Sequence, residues 1–257
     1  MQKFFALYKK ELQITFSNPI AYAVIIVFMV LSGYFFMNIA NYYALFSLRS
    51  MNQYYRNMMD LNMVQGIFRP YFNNMAVVLL LIIPLITMRI FAEEKREGTI
   101  ELLFTYPVSD FTIVISKFLS ALTIFLLMLI GSLSSFLILK TITSYEIGPV
   151  FSGFLGLFLL GSAFIMMGVF ISSLTESQIV AAVISFGVLL IFWVIGWSAQ
   201  SAGPFMSKVL LNLSIIEHFD NFAKGLLDTT DLFYYINLTI LFFFLTLRIL
   251  ETKQWRG

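Results

Sequence analysis

Residues 111–139 read FTIVISKFLSALTIFLLMLIGSLSSFLIL, and Lys117 is the one charged side chain in the run. A helix of a soluble protein carries polar residues along one face, whereas this segment is apolar all round. It also exceeds the ~20 residues that carry a helix across the hydrocarbon of a bilayer. Lipid, not water, solvates such a segment. Five more stretches repeat the pattern, at 20–40, 73–91, 150–172, 179–198 and 232–250. The sequence therefore predicts an all-α polytopic membrane protein with six transmembrane helices, one domain over 1–257.

Composition agrees. Of 257 residues, 60% are hydrophobic, 17% aromatic and 12% charged, and mean hydropathy is +0.88. Soluble domains are about 25% charged. A formal net charge of +2 is too small to point to nucleic acid. The absence of Cys excludes disulfides and Cys-ligated metals, and one His argues against a His-based metal site.

Orientation follows from the Lys and Arg of the connections. With the N-terminus inside, the cytoplasmic side collects Lys3, Lys9, Lys10, Arg89, Lys95, Arg96, Lys117, Arg248, Lys253 and Arg256. The outer side collects Arg49, Arg56, Arg69, Lys140, Lys208 and Lys224. Both termini are basic, and an even number of crossings requires them on one side, so both are expected in the cytoplasm. Lys117, Arg89 and Arg248 are expected to snorkel toward headgroups.

Ahead of the first span, Phe4, Phe5, Tyr8, Leu12 and Phe16 share one helical face, with Lys3, Lys9, Lys10 and Gln13 opposite. Residues 1–18 read either as an amphipathic interfacial helix or as a merely basic flank. Asn18-Pro19 reads as an N-cap followed by proline at the first helical position.

Cut to their hydrocarbon cores, 20–40, 73–88, 118–139, 150–172, 179–198 and 232–247, the spans contain no Asp, Glu, Lys, Arg or His. A gradient-coupled transporter keeps an ionisable group near the midplane, and an intramembrane protease needs its catalytic carboxylates, dyad or metal ligands there. Both classes are disfavoured. Energy must come from another molecule. Within the spans, Ser152/Gly156 and Gly168/Ser172, with Gly131 and Ser135, have small-xxx-small spacing, read as packing inside one subunit. Pro84 is expected to bend span two. Ser132, Ser134, Ser135, Asn237 and Thr239 either line a path or bond to backbone.

The dense charge cluster lies between spans two and three, in the loop 92–110. Gly98 breaks the incoming helix, Thr99 can cap a new short helix with Glu101 in its first turn, and Pro107 stops it. Ser109 or Asp110 can cap span three. Ile100, Leu103 and Phe104 then share one side, as a docking knob for a protein partner or as an interfacial turn of a solvated loop.

The string EEKREGTIELLFTYPVS, Glu93 to Ser109, resembles the hallmark of permease subunits of type-2 ABC exporters, closest to the gliding-motility-like and nitrous-oxide-reductase-maturation-like permeases. The resemblance extends over nearly the whole chain. It implies that Gly98 to Tyr106 form a coupling helix docking onto a separate ATPase, with residues 1–18 as the connecting helix. The coupling residues so implied are Glu93, Glu94, Glu97, Gly98, Thr99, Ile100, Glu101, Leu102, Leu103, Phe104 and Pro107. No residue is catalytic. The chain has no Gly-Lys pair, hence no P-loop, so no cofactor is expected here and ATP-Mg belongs to the partner. Further implied are a second permease copy, identical or paralogous, and residence in a bacterial inner membrane.

Two outer segments are expected, 41–72 and 199–231. The first is rich in Tyr, Asn and Met and should rest on the membrane surface. The second carries apolar faces (Phe205, Met206, Val209, Leu210 and Leu213, then Ile215, Ile216, Phe219, Phe222 and Leu226) and reads as a shallow interfacial hairpin. The expected function is the permease of an ATP-driven exporter. A non-transporting anchor or mechanical relay of an ATPase-powered complex is the alternative.

Overall fold

A computed structural model describes residues 2–49, 62–99, 101 and 108–254, and all regular structure among them is helical. Helix α1, Gln2–Ser17, is followed directly by α2, Pro19–Arg49. The Asn18 side-chain oxygen accepts the Ile20 N–H at 3.0 Å with Pro19 opening α2, the start that Asn-Pro predicts. α2 runs past residue 40 because no Gly or Pro interrupts 41–49. Part of the expected outer segment is thus a continuation of span one. A π-helical turn, Val64–Phe68, leads into α3, Arg69–Thr87. Tyr71 and Phe72 are fully buried, so span two begins before residue 73.

The chain continues through a short helix α4, Ala92–Arg96, then α5, Asp110–Ile142, α6, Ile147–Leu174, and α7, Gln178–Val194. A 3-10 segment, Ile195–Ser201, precedes the pair α8, Pro204–Leu213, and α9, Ile215–Ala223; α10, Thr229–Gln254, ends the described chain. Six helices among the described residues are long and apolar enough to cross a membrane. Spans two, three and four form the interior, and spans one, five and six show most of their surface outward. That surface is apolar (Ile26, Val30, Ile184 and Ile240, for example), as contact with acyl chains requires.

α6 is the hub, packed against α3, α5, α7, α9 and α10. Its glycines make this possible. A Cβ at Gly153 would collide with Phe72, at Gly156 with Phe222, at Gly161 with Phe125 and at Gly168 with Thr87. Gly131 of α5 meets Met29 in the same way. These small residues are spent on packing within the chain, as the spacing predicts. Ser132, Ser134 and Thr239 donate to carbonyls of their own helices.

At the end of the bundle away from α1, Phe36, Phe68, Tyr71, Phe72, Phe136 and Phe154 interlock, with Tyr71 and Phe136 5.0 Å apart and Phe36 and Phe136 5.2 Å apart. There α9 lays Ile215, Phe219 and Phe222 against the interior. Arg69 grips Asp220 of α9 with two bonds, 2.8 Å from Nε and 3.0 Å from Nη2. Burial opposes ionisation of Asp220, but hydrogen bonds from Arg69 and Lys224 outweigh it and hold the carboxyl below its ordinary value. His218 pairs with Asp231 at 2.6 Å and stacks on Tyr234 at 4.0 Å. The second outer segment is therefore two helices joined at Ser214, one packed inward and one, α8, with Phe205, Met206 and Val209 exposed.

Candidate functional site

Span two does not run smoothly into its loop. α3 ends at Thr87, three residues past Pro84, and a turn over 88–91 precedes α4. A break this deep leaves peptide groups without helical partners. Ser172 of α6, fully buried, supplies them: its hydroxyl donates to the Met88 carbonyl at 3.1 Å and accepts from the N–H groups of Phe91 at 3.0 Å and Ala92 at 3.1 Å. One donor and two acceptor lone pairs are thereby all used. The Lys95 ammonium donates to the Ser173 carbonyl next door. α4 is riveted to the end of span four.

The same segment is tied to span three. Lys117 is 1% exposed, and its three N–H donors meet Glu94 Oε1 at 2.9 Å, the Ile90 carbonyl at 3.0 Å and Glu11 Oε2 at 3.2 Å. The Phe91 ring lies 5.2 Å from the ammonium. The expectation that Lys117 snorkels outward is overturned. Two carboxylates and a freed carbonyl, brought together by the break in span two, solvate the charge better than a stretch to the headgroups would, and a buried cation needs such partners. Arg89 stays near the surface, 4.0 Å from Glu93.

Through Glu11 the node reaches α1. The inward face of that helix is Phe4, Leu7, Tyr8, Glu11, Leu12, Thr15 and Phe16, while Phe5 is 62% exposed. The wheel drawn from apolar residues alone is thus rotated, because the most enclosed side chain of α1 is an acid. Tyr8 adds a bond of 2.7 Å to Thr123 of α5. Lys10 lies 3.8 Å from Glu94.

Beyond this anchorage the chain turns outward. Arg96, Glu97, Gly98, Thr99 and Glu101 are exposed, and Gly98 has φ of 70°. Only glycine adopts that conformation without strain, so it ends α4 as the sequence predicts. The Thr99 hydroxyl donates back to the Glu94 carbonyl at 3.3 Å, and most of the helix it is expected to cap lies beyond the described residues. Ser109 stands at the N-cap of α5 with its hydroxyl 2.8 Å from that of Thr112. Ile100, Leu102, Leu103, Phe104 and Pro107 lie outside the described residues, and with them the body of the short helix expected over 98–106. Of the implied coupling residues, Glu94 is in the buried node, Glu93 flanks it, and Glu97, Gly98, Thr99 and Glu101 face solvent.

Sequence reasoning missed Lys117, Glu11, Ser172 and Lys95 as members of this site. A signal existed for the first two: Lys117 interrupts an otherwise uncharged run, and Glu11 is the lone acid of a basic helix. Ser172 is marked in the sequence only by its spacing from Gly168, which points to packing and not to this role.

The chain matches the family described as ABC-2 family transporter protein over residues 5–255. No curated protein matches it.

Proposed function

The chain belongs to the ABC-2 family of transporter proteins, and from that premise we propose that it is the transmembrane permease of an ATP-driven exporter, moved by a separate ATPase that docks on the 93–109 loop. In this reading ATP-Mg is bound by the partner, both termini and the loop face the cytoplasm of a bacterium, and a second permease copy, identical or paralogous, completes the pathway. Within the family, the 93–109 string supports a likeness to the gliding-motility-like and nitrous-oxide-reductase-maturation-like permeases.

One observation carries the reading. The loop is anchored where it leaves the membrane and exposed where a partner would grip it. Lys117 joins α4 to span three and to α1, and Ser172 and Lys95 join it to span four. A push on Glu97 to Glu101 is thereby delivered to packed helices rather than absorbed by a slack connection. Rigid-body tilting of packed helices is an established way for a local force to change which side of a bundle is open.

The test is charge reversal at Glu97 or Glu101, or Leu102→Pro, in the chain co-expressed with its ATPase. The expected result is loss of association, or of stimulated ATP hydrolysis, with membrane insertion intact. Unchanged complex formation and turnover would overturn the docking assignment. Reconstitution in sealed vesicles separates export from a relay role: ATP turnover without cargo movement would favour the relay.

A further inference from the structure

A cavity of ≈ 820 Å³ opens between α1, the start of span one and the adjoining ends of spans two and three. That volume falls within the roughly 300–1,000 Å³ of small-ligand sites. Its walls divide by chemistry. One part is apolar, with Ile20, Val24, Leu85, Ile86 and Ile124, and Leu85 is 44% exposed. The other part holds Lys10, Arg89 and Lys117 against Glu11, Glu93, Glu94 and Glu97. A site with an acyl-like wall and a charged end fits an amphiphile.

The charged end specifies the headgroup. Glu11 is 6% exposed, and its Oε1 is buried without a hydrogen-bond partner; Lys10 Nζ, at 3.9 Å, is too far to donate. Glu94 Oε2 and Arg89 Nε are likewise buried and unpartnered. Lys117 cannot serve them, because its three donors already meet three acceptors. Two acceptors thus lack N–H donors, and one guanidinium donor lacks an acceptor. A primary ammonium joined to a phosphate supplies both. A quaternary ammonium has no N–H, and an anionic glycerol headgroup has no cation for the carboxylates. Three cations against four carboxylates also disfavour a ligand of net negative charge. We infer that this cavity binds an aminophospholipid of the phosphatidylethanolamine class, ammonium on Glu11 and Glu94 and phosphate on Arg89, with acyl chains along Val24, Leu85 and Ile86. The inference concerns binding and does not depend on ATP-driven transport.

The experiment uses the purified full-length chain in mild detergent and native mass spectrometry. Phosphatidylethanolamine, its N-methyl and N,N-dimethyl derivatives, phosphatidylcholine and phosphatidylglycerol, all with the same chains, compete for retention. Retention should fall once fewer than two N–H groups remain, by about tenfold or more from the primary amine to choline, the scale of a charge-assisted hydrogen bond. Glu11→Gln should erase that preference, while Arg89→Gln should weaken all the phospholipids together. Soluble phosphoethanolamine should not compete; equal competition by it would make the ligand a free amine phosphate and overturn the lipid assignment. Equal retention of the amine and choline lipids, or best retention of phosphatidylglycerol, would also overturn it. The methylation series needs no variant, so it decides even if Glu11→Gln fails to fold.

Discussion

Lys117 and Glu11, separated by 106 positions in the chain, meet at 3.2 Å in a buried ion pair that fastens the N-terminal helix to the third span. Glu94 shares the same ammonium at 2.9 Å, so α1, α4 and α5 converge on one nitrogen. A flank that could have floated independently in the interface is instead part of the transmembrane bundle.

Replacing Lys117 by Met should be strongly destabilising. It leaves Glu11 and Glu94 facing each other without the cation they share, and breaking a buried pair costs about 3–5 kcal/mol. Thermal melting of the purified chain in detergent should show the drop. Adding Glu11→Leu should recover part of it, because one stranded carboxylate is removed. A Lys117→Met chain that melts like the parent would show that the node carries no stability.

Ser172→Ala should act locally. The Phe91 and Ala92 amides and the Met88 carbonyl each lose a partner. An unsatisfied buried group costs about 1–3 kcal/mol. Hydrogen exchange over 88–95 should accelerate while the rest of span two is unaffected. Ser134→Ala should do nothing comparable, since that hydroxyl is exposed and bonds to its own helix. Unchanged exchange in the Ser172 variant would contradict the stitch.

The glycines should divide into two groups. Gly156→Val and Gly161→Val place new carbons into Phe222 and Phe125, and overpacking of this kind costs about 1–3 kcal/mol. Gly33 and Gly187 have nothing within 4 Å of a built Cβ. Alanine at those two positions should be neutral or stabilising by up to about 1 kcal/mol, through helix propensity. Melting temperatures of the four variants, ranked, check the division.

The anchor of α9 should be sensitive to acid. Asp220 is held below its ordinary value in the folded chain, against burial, by Arg69 and Lys224. A carboxyl depressed on folding contributes stability that is complete above its unfolded value, about 3.9, and is lost as pH falls through the lower folded value. Proteolysis of the 204–228 segment should therefore rise on acidification, and Asp220→Asn should show the raised rate already at neutral pH. A variant with the parent's pH profile would exclude this pair as the cause.

Much of the architecture was legible beforehand because lipid imposes a strict length and composition on whatever crosses it. The long apolar runs could hardly be anything but spans, and Gly98 and Asn18-Pro19 punctuate the chain as their backbone preferences require. Span ends were less legible. Tyr71 and Phe72 sit beside Arg69 and resemble interfacial residues, yet they are buried because α6 offers Gly153 to receive Phe72. Lys117 was misjudged for a related reason. Its distance from the end of a helix can be counted in the sequence, but the break at 88–91 that exposes the Ile90 carbonyl to it cannot.

The sequence by itself determined that this chain belongs in lipid, has six segments able to cross it, carries its densest charge cluster in one loop, and has no Asp, Glu, Lys, Arg or His in the cores of its spans. Those are properties of single segments, set by hydrophobicity, length and local backbone preference. Only the tertiary structure decided that Glu11, Glu94, Ile90 and Lys117 share one site, that Ser172 closes the gap in span two, and that the small residues of α6 face its own neighbours. Such contacts join positions up to 106 residues apart, and their partners are chosen by which helices pack together, a choice no local pattern encodes.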